Sequence, residues 1–193
     1  TAFQKIKKIA RRQIELCAEG KLSNKHFWNW FWAAWQGWRF QGKGLEMTCK
    51  HTPWRQACQA LVTVLDAPAS TRDQVVSQEI DKLAKSRNPA RSAWLSEMLC
   101  HFFPGAQDGY PLKNQPVRDF LKQSKYRWTP GLTPGQHYAE LARLLRAAVA
   151  SNPKGARNLA ELDTVIWAQS QKQKLSKPQK QTTPVLKTMA ATA

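Results

Sequence analysis

Residues 26–38 read HFWNWFWAAWQGW. Trp28, Phe31, Trp32, Trp35 and Trp38 recur every three to four positions, the spacing of one helix face. Phe27, Trp30 and Ala34 populate another face. A helix that is apolar nearly all round belongs in an interior. The stretch therefore predicts a Trp-rich central helix within an all-α fold. Aromatic rings also stack on unpaired bases. Here five aromatics crowd the six positions 27–32, which reads as core packing. Trp38 stands next to Arg39 and close to Lys43, so a role at the rim stays open for that one ring.

Outward from this helix, the chain repeats one theme. Residues 2–19 carry Phe3, Ile6, Ile9, Ala10, Ile14, Leu16 and Cys17 at helical spacing, with bases between them and Gly20 as the stop. Ser23 and Asn24 are N-cap candidates for the Trp-rich helix. Residues 38–48 suit a short hairpin turning at Gly42–Gly44; Gly-Lys-Gly lacks the remainder of a phosphate-binding Walker loop. Pro53 opens a helix over 53–66, and further helices are predicted over 70–86, 90–103, 115–124, 134–150 and 157–170. In the last of these Leu159, Leu162, Val165, Ile166 and Trp167 are expected to point inward. Pro and Gly punctuate the breaks, as in Pro104-Gly105, Pro130-Gly131 and Pro134-Gly135. The sum is one helical domain of seven or eight helices over 1–171. A Lys/Gln/Pro/Thr tail over 172–193 has no apolar period and is expected to be flexible.

The chain has 193 residues, with 30 Lys+Arg against 13 Asp+Glu, a formal net charge of +17. The first acid is Glu15 and the last is Asp163. Five bases precede the first acid (Lys5, Lys7, Lys8, Arg11, Arg12) and five follow the last. The ends thus hold ten of the seventeen net charges. Such ends attract polyanions, and phosphate is the simplest one. The expected nucleic-acid footprint is Lys5, Lys7, Lys8, Arg11 and Arg12 on the first helix, with its apolar side docked to the body. Arg39, Lys43 and Lys50 beside the Trp-rich segment complete it. No run approaches 18 consecutive apolar residues, so no membrane-spanning helix is expected. No charged-then-apolar leader opens the chain, so no signal peptide is expected either.

The cysteines are Cys17, Cys49, Cys58 and Cys100, with no Cys-x-x-Cys pair. They read as reduced, buried thiols of a cytoplasmic protein. Cys49, His51 and Cys58 are the one metal-like grouping, but Cys49-x-His51 is tighter than the usual zinc pair, so no metal or other cofactor is expected. The histidines His26, His51, His101 and His137 lie in four different segments. Glu79/Asp81 and Glu161/Asp163 are spaced i, i+2 and so face apart on a helix, whereas metal-ion nuclease chemistry needs converging carboxylates. The reading is a protein without catalysis.

One stretch resembles a known family. Trp94-Leu95-Ser96-Glu97-Met98-Leu99-Cys100-His101 is followed by Phe103-Pro104 and then Tyr110-Pro111-Leu112-Lys113-Asn114-Gln115-Pro116-Val117-Arg118. A helix near 134–150 comes next, then Leu159-Ala160-Glu161-Leu162-Asp163-Thr164-Val165-Ile166-Trp167. This order over about 90–168 resembles helical modules attached to McrB-like ATPases of modification-dependent restriction systems. More distantly it is similar to the later helices of helix-hairpin-helix DNA glycosylases. That second resemblance implies a catalytic Asp where Asn114 stands, and an amide cannot serve as a carboxylate base. The glycosylases' Gly-rich hairpin is missing before residue 95, and no ATPase motif is present. The resemblance implies a helical module linked to DNA or RNA, without catalysis.

The expected function is therefore a nucleic-acid-binding subunit of a larger nucleoprotein assembly, such as a prokaryotic antiviral defence complex. Lys and Arg would bind backbone phosphate of DNA or RNA with little base readout. Other protein subunits are expected partners and a membrane is not. Two alternatives remain: an adaptor whose basic arms engage an acidic protein, and a diverged base-excision-type enzyme.

Overall fold

The computed structural model describes residues 2–36, 51–152 and 154–176. Eight helices and no strand run through the described residues: α1 (Ala2–Ala18), α2 (Asn24–Gln36), α3 (Trp54–Asp66), α4 (Arg72–Lys85), α5 (Ser92–Phe102), α6 (Gln115–Gln123), α7 (Pro134–Ser151) and α8 (Leu159–Ser176). The all-α single domain expected from periodicity is what the chain forms. The proposed Gly42–Gly44 turn, Arg39, Lys43 and Lys50 lie outside the described residues, as does the tail beyond 176. Helix α8 runs to Ser176, past the expected end at 170 and into the stretch read as tail.

Local chemistry sets the boundaries. Gly20 takes φ +79 after α1, a left-handed cap that glycine adopts without steric cost, and its amide returns to the Cys17 carbonyl at 3.0 Å. The last turn of α1 is finished from α3: Arg55 Nε and Gln59 Nε2 both donate to the Ala18 carbonyl, at 3.3 and 3.1 Å. Asn24, at the start of α2, accepts the Arg55 amide at 2.9 Å. Thr133 and Gln136 form a reciprocal capping box at the start of α7. Asn88, buried between α4 and α5, donates to the Pro53 carbonyl and to Gln56 and accepts the Ala90 amide, which fixes that corner.

Helix α3 is the hub, packing on α1, α2, α4 and α5, while α7 joins α4 and α5 to α8. The aromatic core forms where α2, α3 and α5 meet. Trp54 and Trp94 cross edge to face with centroids 5.3 Å apart. Phe27 and Trp28 each lie 5.4 Å from Trp54, and Phe31 lies 6.1 Å from Trp94. Burying each such side chain contributes about 1.5–3 kcal/mol, and aromatic pairs in these geometries add about 0.5–1.5 kcal/mol. The Trp-rich helix thus supplies the core, but through one side. Phe27, Trp28 and Phe31 are buried, Trp30 and Trp32 are half-buried, and Asn29, Ala33 and Ala34 face solvent.

Two helices sit in a different rotation from the one their apolar pattern suggests. In α1 the buried line is Ala10, Ile14 and Cys17, and Ile9 is 56% exposed. In α8 Leu159 and Ile166 are buried, but Val165 and Trp167 face outward. In both, the apolar residues spread too far around the helix for one face to bury them all.

The segment between α5 and α6 is held from both sides. The Tyr110 hydroxyl donates to Asp73 at 2.6 Å, and Arg146 pairs with the other oxygen of Asp73. The Tyr138 hydroxyl donates to the Pro111 carbonyl at 2.8 Å, and the Lys113 amide donates to Ser96 Oγ at 3.1 Å. These bonds deliver Lys113 and Asn114 to the start of α6.

Candidate nucleic-acid interface

The basic helix α1 offers fewer free charges than its composition suggests. Lys7 turns inward and donates to the Phe102 carbonyl at 3.1 Å, at the C-terminal end of α5. Burial lowers its pKa, and the nearby Asp108 works against that shift. Arg11 is held by Glu15 at 2.8 Å and by Asp66 at 2.5 Å. Lys8 faces solvent, and Arg12 is 60% exposed and reaches Glu15 only at 4.0 Å. Lys5 stands near the start of α1, where the backbone alone is described. Of the expected footprint on this helix, Lys8 and Arg12 therefore point to solvent, whereas Lys7 and Arg11 serve the fold. Arg39, Lys43 and Lys50 lie outside the described residues.

A second basic region forms around α6 and α7. These helices and the loop between them line an open cavity of about 360 Å³. Val117, Leu121, Tyr138 and Leu141 line its apolar part, Trp128 and His137 its mouth, and Lys113, Asn114 and Arg118 its polar end. Trp128 is 37% exposed. It meets Tyr126 at 5.3 Å and His137 at 5.0 Å, both near-perpendicular. Lys113 is half-buried, lines the cavity with Arg118, and has no ion pair among the described residues. Burial first, then the charges of Arg118 and Arg91, lowers its pKa. Arg118 of the lining is exposed, as are Lys122, Lys125, Arg127 and Arg143 on the same stretch of chain and on α7.

Sequence reasoning passed over this region. A signal was present: Lys125-Tyr126-Arg127-Trp128 alternates bases with aromatics, and no acid occurs from 120 to 139. Interleaving of that kind is a mark of nucleic-acid surfaces. The cavity itself had no linear signal, because its walls come from α6, the loop at Trp128 and α7, which only the fold brings face to face.

Asn114, the residue in the glycosylase-like position, has a structural task. Its Oδ1 caps α6 by accepting the Val117 amide at 2.9 Å, and its Nδ2 donates to Asp163 at 3.0 Å. Burial raises the pKa of Asp163, and the Asn114 bond opposes that rise. The other carboxylates considered for catalysis are similarly engaged. Glu161 binds Arg157, Glu79 binds Lys82 at 2.5 Å, and Asp81 receives the Thr133 hydroxyl and the Gly135 amide. His101 lies 3.3 Å from Glu97 and is half-buried. No cluster of three or more His, Cys, Asp or Glu suited to a metal occurs among the described residues. Cys17, Cys58 and Cys100 are free and buried. No described helix is long and apolar enough to cross a membrane.

No family model matches the chain, and comparisons with curated proteins and with solved structures find none similar to it.

Proposed function

We propose that this chain binds the phosphate backbone of nucleic acid through exposed Lys and Arg, as a non-catalytic helical subunit of a larger nucleoprotein assembly. The observation that carries this reading is an imbalance in how charges are used. Glu15, Asp66, Asp73, Glu79, Asp81, Glu161 and Asp163 all serve intramolecular contacts. Lys8, Lys122, Lys125 and Arg127 face solvent with no ion pair among the described residues. The surplus positive charge is thus left at the surface, where it attracts a polyanion. The resemblance of residues about 90–168 to modules of restriction ATPases supports a place in a prokaryotic defence complex. The free thiols suit a cytoplasmic setting.

The test is a salt titration of binding to DNA and RNA. Each phosphate contact contributes about 0.7–0.9 to the log–log slope. Replacing Lys8 and Arg12 together by Ala flattens the slope by about one and a half on every sequence. Replacing Lys122, Lys125 and Arg127 by Ala flattens it by about two to three. An adaptor for an acidic protein would instead show little affinity for either nucleic acid at about 0.15 M salt, and that result overturns the reading.

A further inference from the structure

We propose that the cavity between α6 and α7 takes one unpaired nucleotide of a single strand, with its base against Trp128 and its phosphate on Lys113 and Arg118. This rests on the nucleic-acid reading above and adds to it which form of nucleic acid is bound.

The cavity's two ends ask for a ligand with two natures. Its volume of about 360 Å³ is in the range of small-molecule pockets, about 300–1,000 Å³. Val117, Leu121 and Leu141 offer a dry surface to a flat apolar group. Trp128 adds an indole at the mouth, its plane fixed by the perpendicular contacts with Tyr126 and His137.

The polar end asks for an anion. Lys113 is half-buried, lines the cavity together with Arg118, and has no ion pair among the described residues. Taking an ammonium from water and placing it near like charges is unfavourable. An anion at that end reverses both effects at once. A flat ring joined to a single negative charge is the chemistry of a nucleotide unit within a strand. In a duplex the bases are stacked and paired, so the ring is not presented. Lys122, Lys125 and Arg127 are exposed and close in sequence to the lining residues Leu121 and Trp128, and they suit the neighbouring phosphates, which a free mononucleotide does not have.

The experiment compares the full chain and its variants on three probes. These are a short thymidylate single strand, an abasic strand with the same number of phosphates, and a duplex. The expected result is that Trp128→Ala weakens the thymidylate strand about tenfold and leaves the abasic strand and the duplex unchanged. Lys113→Met weakens both single strands and leaves the duplex unchanged. If Trp128→Ala lowers thermal stability, Trp128→Leu keeps an apolar filler without a ring and must show the same selective loss, while Trp128→Phe restores most of the affinity. Equal losses on thymidylate and abasic strands overturn the proposal, as does no loss on either. Thymidine monophosphate that competes at the concentration of the strand itself overturns the strand in favour of a free nucleotide. In these cases binding of nucleic acid by the exposed bases still stands. No binding of any probe at low salt overturns the function reading together with this one.

Discussion

A Cβ placed on Gly135 would stand 2.0 Å from the carbonyl oxygen of Ser77, so α7 meets α4 backbone against backbone. Asp81 of α4 completes the joint by accepting the Gly135 amide at 2.8 Å and the Thr133 hydroxyl at 2.6 Å. Gly135→Ala must therefore push the two helices apart, at a cost of about 1–3 kcal/mol. Gly131 is the control. It takes φ +76, but its Cβ position is open, so Gly131→Ala meets only the left-handed strain of about 1–2 kcal/mol. Thermal unfolding of the two variants measures the difference, and the cavity wall near Pro134 and His137 is disturbed only in Gly135→Ala.

Trp54 and Trp94 carry the second prediction. Both are fully buried, and neither indole N–H meets an acceptor among the described residues. Either Trp→Ala change costs about 3–5 kcal/mol through the void it leaves. Trp→Phe costs less than that at both positions, because the unsatisfied donor goes with the removed ring. Chemical denaturation with an unchanged m-value checks the ranking.

The third prediction separates two neighbouring arginines. Arg11→Ala removes contacts with Glu15 and Asp66 that are largely exposed, and lowers stability by no more than about 1 kcal/mol. It leaves the salt slope of nucleic-acid binding nearly unchanged. Arg12→Ala does the reverse: stability holds and the slope flattens by just under one. Adjacent bases in the sequence thus part company in the assay.

Asp163 gives the fourth. Burial holds its carboxyl above the ordinary Asp value of about 3.9. The folded state then binds this proton more tightly than the unfolded chain, so its contribution to stability is lost as pH rises from the ordinary value through the raised one. Asp163→Asn keeps an acceptor for Asn114 and has no proton to lose. The stability difference between the two proteins is therefore small at acid pH and grows in favour of Asp163→Asn toward neutrality. Subtracting one pH–stability curve from the other cancels the opposite trend of Glu161 and Glu140, whose carboxyls are held low by Arg157 and Tyr126.

Most helix limits were legible because they are set locally. Gly20, Pro53, Pro116 and Pro134 each mark a boundary by their own backbone chemistry. Rotation about the helix axis was not local. Lys7 donates to the Phe102 carbonyl of α5, far away in sequence, and α1 packs chiefly on α3, with Ala10, Ile14 and Cys17 buried and Ile9 exposed. The candidate site divides in the same manner. Lys8 and Arg12 were read from charge runs, whereas the importance of Lys113 arises only once Ser96, Tyr110 and Tyr138 have carried it to the cavity. The interleaving of Lys125, Tyr126, Arg127 and Trp128 is visible in the sequence, but nothing in the linear pattern places Trp128 in one cavity with Lys113 and Arg118.

Three sealed sulfurs give the molecule an internal clock. Cys17 and Cys58 sit on the facing helices α1 and α3, and Cys100 lies on α5, where burial and two nearby carboxyls push its thiol up to about 12. A thiol-blocking reagent in native buffer reaches them only when helices separate, so each labelling rate times an opening event. Cys17 and Cys58 report the α1–α3 seam, and Cys100 reports the side toward α7. Equal rates at all three would mean that the bundle comes apart in one concerted step; faster modification of the first pair would mean that the basic first helix peels away while the remainder stays folded.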